Sequence, residues 1–224
     1  MEIKAIIFDF DNTLVDRQKA AYSYFKDFVK GYFPHLNPST VEYEGIVQQL
    51  VTWDEFGALD RRSVFQQFVK WFKLDPSLIE EMLVTWYDRF NTYTVAYPDA
   101  KEVLIALSEK YRIGMITNGG SAQRAKLEVS GLGDFFECVI VSREHDTNKP
   151  DQVLFDMACH QLEVKPEECL FVGDTFDTDI VGAVQAGMQA VWIVSDPLRQ
   201  SDYPVARIQT ISELLDLLQE GEIA

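Results

Sequence analysis

The chain has 224 residues, 47% of them hydrophobic, which suits one domain with a large insertion or two unequal domains around a proper core. A formal net charge of −16 argues against nucleic acid and anionic membranes as partners, because a polyanion is repelled at long range and no local basic patch offsets it. The N-terminus lacks the basic start and apolar stretch of a secretory signal, and no apolar run approaches membrane-spanning length, so a cytoplasmic protein is expected.

The first expected strand, Ile3 to Phe8, runs straight into Asp9 and Asp11 within Asp9-Phe10-Asp11-Asn12-Thr13-Leu14. Two carboxylates spaced i and i+2 at a strand end repel each other unless a metal or a shared proton relieves them. From residue 16 to residue 92 there is no convincing strand. Instead, aromatic-rich helical patterns occur around Tyr22 to Val29, Val41 to Val51, Ser63 to Phe72 and Pro76 to Phe90, broken at Phe33-Pro34, Trp53-Asp54 and Leu74-Asp75-Pro76. An aromatic stripe of this kind is assigned mainly to packing within an all-helical insertion.

After residue 93 short apolar runs alternate with helical patterns. The expected strands are Ile113 to Thr117, Cys138 to Val141, Cys169 to Gly173, Ala190 to Val194 and Ala206 to Ile208. The expected helices are Asp99 to Lys110, Ala122 to Ser130, Gln152 to Gln161, Thr178 to Ala186 and Ile211 to Gln219. This alternation predicts a doubly wound parallel α/β sheet, in which ligands lie beyond the C-terminal ends of the strands. Cys138, Cys159 and Cys169 form no Cys-x-x-Cys pair and indicate neither a disulfide framework nor a structural zinc site.

Polar groups collect where three of these strands end. Thr117-Asn118-Gly119-Gly120 follows the second strand, and reads either as a phosphate-holding turn or as a polar cap for the helix beginning near Ser121. Asn148-Lys149-Pro150-Asp151 precedes the helix Gln152 to Gln161, with Pro150 suited to its first position. Gly173-Asp174-Thr175-Phe176-Asp177-Thr178-Asp179 closes the fourth strand with further acids.

In this order and spacing the four segments resemble the motifs of the haloacid dehalogenase superfamily, specifically its helical-cap phosphatases. The resemblance covers nearly the whole chain. It implies a Rossmann-like catalytic core over residues 1–15 and 93–224, with a helical cap domain over 16–92. It further implies a Mg²⁺-dependent phosphatase acting on a small soluble phosphomonoester, of nucleotide, sugar phosphate or phosphoglycolate type, through an aspartyl-phosphate. Asp9 is then the nucleophile, Asp11 the general acid and base, and Lys149 the fixed cation. Thr117 and Asn118, with Lys149, hold the phosphate. Asp9, Asp174 and the Asp11 carbonyl bind the metal, a donor set that suits a hard ion. Asp179 holds Lys149 or a metal-bound water, and Thr13 either orients Asp11 and its loop or bonds its own turn.

Asp11 separates this reading from a dehalogenase, whose leaving halide needs no proton. A phosphomutase of the same superfamily and a non-catalytic Mg²⁺-binding phospho-acceptor module are the alternatives. Within the insertion, Arg61 and Arg62 beside Trp53 and Phe56 are either a solvated helix start or a fork for the distal end of an anionic substrate. Oligomeric state and substrate are not legible in the sequence.

Overall fold

The computed structural model describes residues 2–194 and 199–220. These fall into two compact units, divided between Val15 and Asp16 and again between Val95 and Ala96. The chain opens with β1 (Ala5–Phe8), whose four residues are all buried.

The unit from Asp16 to Val95 is helical. It contains α1 (Arg17–Tyr32), α2 (Val41–Asp54), α3 (Arg61–Phe72) and α4 (Leu78–Arg89). Side-chain caps start the first three, satisfying amide groups that have no partner inside the helix: Asp16 accepts from Lys19 N at 2.8 Å, Thr40 from Tyr43 N at 3.4 Å and Asp60 from Ser63 N at 3.1 Å. The aromatic stripe forms the core of this unit. Trp86 stacks on Phe90 at 4.0 Å between centroids, and Phe28 on Phe65 at 5.3 Å.

A buried ion cluster fixes the end of α2. Arg17 donates to both carboxylate oxygens of Asp54, at 2.5 and 3.1 Å, and Arg61 donates to Oδ1 of the same carboxylate. Burial raises the Asp54 pKa, but the two guanidinium groups outweigh it and hold the carboxyl below its ordinary range. Glu55, Phe56 and Gly57 then turn with φ of 47°, 58° and 94°. Glycine is required at the last, since a Cβ there would lie 2.6 Å from the Arg17 guanidinium carbon.

The second unit joins β1 to the chain beyond Ala96. Its further elements are α5 (Ala100–Ser108), β2 (Arg112–Thr117), α6 (Ala122–Ser130), β3 (Cys138–Val141), α7 (Gln152–Gln161), β4 (Cys169–Gly173), α8 (Val181–Gln185), β5 (Gln189–Ile193), β6 (Ala206–Ile208) and α9 (Glu213–Glu220). Among the described residues the strands form one six-stranded parallel sheet in the order β3-β2-β1-β4-β5-β6. The expected doubly wound α/β sheet is therefore the fold of this unit. Apolar clusters cover both faces, one including Phe8, Leu104 and Val172 and the other including Ile7, Phe155 and Phe171, which is why the strands read as continuous apolar runs. The three cysteines are buried and free. Among the described residues no helix is long and apolar enough to cross a membrane.

Two local expectations differ from the structure. The helix expected from Thr178 is preceded by a π-turn over Phe176–Ile180, and α8 starts only at Val181. Pro150 lies outside α7, because the Asp151 carboxylate accepts from Val153 N at 3.1 Å and takes the N-cap position.

Candidate active site

The strand order reverses between β1 and β4, and that is where the crevice of a doubly wound sheet opens. Phe8 is paired with Val172, so both chains leave the sheet together, β1 into Asp9 and β4 through Gly173 into Asp174. Asp9 stays tied to the ladder by its N–H, which donates to Val172 O at 2.9 Å. Asp179 comes back to the same place over the π-turn. Its Oδ2 accepts from Thr175 N at 3.0 Å, and its Cβ and Cγ would each lie 2.6 Å from a Cβ on Gly173. Only glycine at 173 leaves room for that approach.

Side-chain oxygens of Asp9, Asp174 and Asp179 lie within 4.8 Å of one another. Lys149 reaches this cluster from the segment before α7, and its Nζ donates to Asp9 Oδ1 at 2.7 Å and to Ile116 O at 2.9 Å and pairs with Asp179 Oδ1 at 2.7 Å. All three ammonium protons are thus used. Asp9 Oδ2 accepts no hydrogen bond among the described residues. Burial, followed by repulsion from Asp179 and Asp11, outweighs Lys149 and lifts the Asp9 pKa to about 6. Burial and the fields of Asp9 and Asp179 lift Asp174 to about 8. Burial alone would pull the Lys149 ammonium down, yet Asp179 and Asp9 reverse the sign and raise it.

Three buried or half-buried carboxylates facing one ammonium leave an excess of negative charge where water is scarce. An all-oxygen donor set with that excess fits a hard divalent cation and poorly fits a thiophilic one. The residues present are therefore able to hold a metal ion.

The turn after β1 carries Asn12 at φ 62° and returns through Leu14 N and Val15 N, both bonded to Phe10 O. Thr13 is fully buried and its Oγ1 has no hydrogen-bond partner among the described residues. The Asp11 carboxylate is met by α6, with Gln123 Nε2 donating to Oδ2 at 3.0 Å and Lys126 Nζ bonded to both oxygens. Thr117 Oγ1 accepts from Gln123 Nε2 at 2.5 Å. Asn118 braces Lys149: its Oδ1 accepts from Lys149 N at 2.8 Å, and its Nδ2 donates to Lys149 O at 3.3 Å. Ser142 and Asn148 continue the brace, Ser142 Oγ lying 2.8 Å from Asn148 Oδ1 and accepting from Gly119 N at 3.0 Å.

Gln123, Lys126 and Ser142 were not among the residues singled out by sequence. A helical reading puts Gln123 and Lys126 one turn apart on one face, three residues from each other, which was a usable signal. Of the insertion arginines, Arg61 is buried against Asp54, donates also to Leu59 O, and lies 4.8 Å from the centre of the Trp86 ring. Arg62 forms an exposed ion pair with Glu80 at 2.5 Å. Both belong to the unit from Asp16 to Val95, whereas Asp9, Asp174 and Asp179 belong to the other.

The fold and the cluster at its switch point define a doubly wound α/β enzyme with paired acidic strand ends and a buried lysine. Residues 6–193 match the model of the haloacid dehalogenase-like hydrolase family, and the chain belongs to that family. Relatives that match over nearly its whole length are named phosphatases. It is 31% identical to a glyceraldehyde 3-phosphate phosphatase of Methanopyrus kandleri over 97% of this chain and 98% of that one. It is 29% identical to the human N-acylneuraminate-9-phosphatase, over 97% and 94% of the two chains. Among solved structures, a HAD phosphatase from Thermococcus onnurineus superposes with a TM-score of 0.67 at 29% identity, covering 96% of this chain and 98% of that one.

Proposed function

We propose that the chain is a Mg²⁺-dependent phosphatase that removes phosphate from a small phosphomonoester through an aspartyl-phosphate on Asp9. The observation that carries this reading is the meeting of Asp9, Asp174 and Asp179 with Lys149 at the β1/β4 switch point. Asp9, Asp174 and the Asp11 carbonyl are the residues that would hold the ion, with Asp179 anchoring Lys149. When bound, Mg²⁺ supplies charge neutralisation for the carboxylates and the phosphate oxygens.

Asp9 is the nucleophile because its Oδ1 is fixed by Lys149 while Oδ2 is left to attack phosphorus. Lys149 offsets the repulsion between nucleophile and phosphate. Thr117 and the backbone N–H groups after it lie at the end of β2, beside the Asn118 brace, and serve the transferring phosphoryl group. Asp11 gives a proton to the departing alcohol oxygen, then takes one from the water that opens the phosphoaspartate. The helical unit serves as the cap domain of the family.

The relatives matched over nearly the whole chain are named for a phosphorylated sugar or sugar acid, which favours that class over the nucleotide of a pyrimidine 5'-nucleotidase matched over 69% of it. The test is phosphate release with Mg²⁺ over a panel of glyceraldehyde 3-phosphate, N-acylneuraminate 9-phosphate, phosphoglycolate and nucleoside monophosphates. A sugar-type ester should have the highest kcat/KM. Preference for a nucleotide would overturn the substrate class, and no release from any ester would overturn the phosphatase reading.

A further inference from the structure

The face of α6 nearest Asp11 carries two polar side chains, Gln123 and Lys126, each 5% exposed. Lys126 Nζ is bonded to both carboxylate oxygens of Asp11 and, at 2.9 Å, to Gln123 Oε1. Gln123 Nε2 in turn faces Asp11 Oδ2, Thr117 Oγ1 and Asn118 O at 3.0, 2.5 and 3.3 Å. A buried ammonium is retained only where its partners repay lost hydration, and here the partner is the carboxylate that the reaction uses twice.

The pattern of bonds favours one of those two uses. A carboxylate that accepts at both oxygens is a pure acceptor with a fixed plane, whereas an acid about to protonate an alcohol must turn one oxygen into an O–H donor. The observed geometry therefore suits the step in which Asp11 acts as base. In that step the water oxygen bonds phosphorus and its proton passes to Asp11. The bond between phosphorus and the Asp9 oxygen breaks, so Asp9 returns as a carboxylate and inorganic phosphate leaves.

We infer that Lys126, steered by Gln123, is a positioning residue that orients Asp11 for hydrolysis of the phosphoaspartate. This rests on the phosphatase reading and adds to it a residue for the second half-reaction only. Formation of the phosphoenzyme from an ester with a good leaving group does not depend on Lys126, because p-nitrophenolate departs without a proton.

The experiment is rapid-quench turnover of p-nitrophenyl phosphate with Mg²⁺ by the wild-type chain, Lys126→Met and Lys126→Arg. Lys126→Met should release nearly one equivalent of p-nitrophenol per chain in a burst, then turn over about tenfold or more slowly than wild type. KM should fall by the same factor, leaving kcat/KM unchanged, and Lys126→Arg should restore most of the steady rate. Slow turnover without a burst and with unchanged KM, or wild-type turnover, would overturn the assignment. If Lys126→Met does not fold, Gln123→Ala carries the same test, and absence of the burst there has the same meaning. A wild-type chain that turns over no ester would instead remove the phosphatase reading, and this inference with it.

Discussion

Lys149 Nζ lies 2.7 Å from Asp9 Oδ1, although 140 positions separate the two residues in sequence. The contact exists because β1 and β2 are neighbours in the sheet, and Asn118, at the end of β2, grips the Lys149 backbone through both ends of its amide. A cation fixed in this way costs no reorganisation when negative charge builds up beside it. Lys149→Ala should therefore lower kcat by about 10²–10³-fold. Steady-state kinetics on p-nitrophenyl phosphate checks this, and a loss of less than threefold, about 0.6 kcal/mol, would assign Lys149 to packing.

Asp9→Asn and Asp11→Asn should fail differently. On the proposed roles, the first removes the nucleophile and should abolish turnover of every ester. The second should still release p-nitrophenol in one burst, yet hardly act on an alkyl phosphate, whose leaving group needs a proton. Identical behaviour of both variants on both substrates would contradict separate roles.

Gly173→Ala tests how closely the β4 end packs. The added methyl group would meet Asp179 at 2.6 Å, so the π-turn must shift and release Asp179 from Lys149. Activity should fall at least tenfold, about 1.4 kcal/mol in the barrier, with the thermal midpoint lowered as well. Unchanged kinetics would mean that Asp179 is not needed near Lys149.

The metal-free protein should respond to pH in a defined direction. Asp9 and Asp174 have carboxyl pKa values raised to about 6 and about 8, above the unfolded value near 3.9. Groups shifted upward contribute stability that is present below the unfolded pKa and lost as pH rises through the folded one. In chelator the thermal midpoint should therefore drop as pH goes from about 5 to about 9, and the increase produced by Mg²⁺ should widen over the same range. A Mg²⁺ effect independent of pH would contradict a metal site built on these carboxylates.

Asp54→Asn should destabilise the helical unit by roughly 3–5 kcal/mol, because it leaves Arg17 and Arg61 buried without their anion. The native Asp54 carboxyl has a lowered pKa, so its contribution is present above about pH 4 and is lost as pH falls through the folded value. Denaturant titrations should show the gap between wild type and variant closing in acid. A constant gap would mean that packing alone, and not the ion cluster, holds the α2 end.

Much of this arrangement was legible because strand ends carry local signals. An apolar run breaking into Asp9-Phe10-Asp11 or into Gly173-Asp174 marks both the end of a strand and its chemistry, and parallel burial on both faces makes such runs continuous. The packing partners were less legible. Lys126 and Gln123 sit in a helix whose sequence reads as an ordinary polar surface, and only the adjacency of β2 and β1 brings that helix against Asp11. Arg61 and Arg62 look alike in sequence, yet one is buried on Asp54 and the other lies in solvent beside Glu80, because successive positions of α3 point about 100° apart and only one of them faces the α2 end. The π-turn before α8 was invisible for a similar reason: its cause is the return of Asp179 to Lys149, a contact with a distant segment.

The proposed mechanism requires that Asp9 carry phosphate during turnover. The most direct measurement is an acid quench of the Mg²⁺-loaded chain during turnover, reduction with borohydride, and mass spectrometry of the peptides. An acyl phosphate on Asp9 is reduced to the alcohol, so homoserine should appear at position 9 in wild type and be enriched in Asp11→Asn, with no such conversion at Asp11, Asp174 or Asp179. Phosphate release at the full rate with Asp9 never converted, or conversion at another aspartate, would contradict the account.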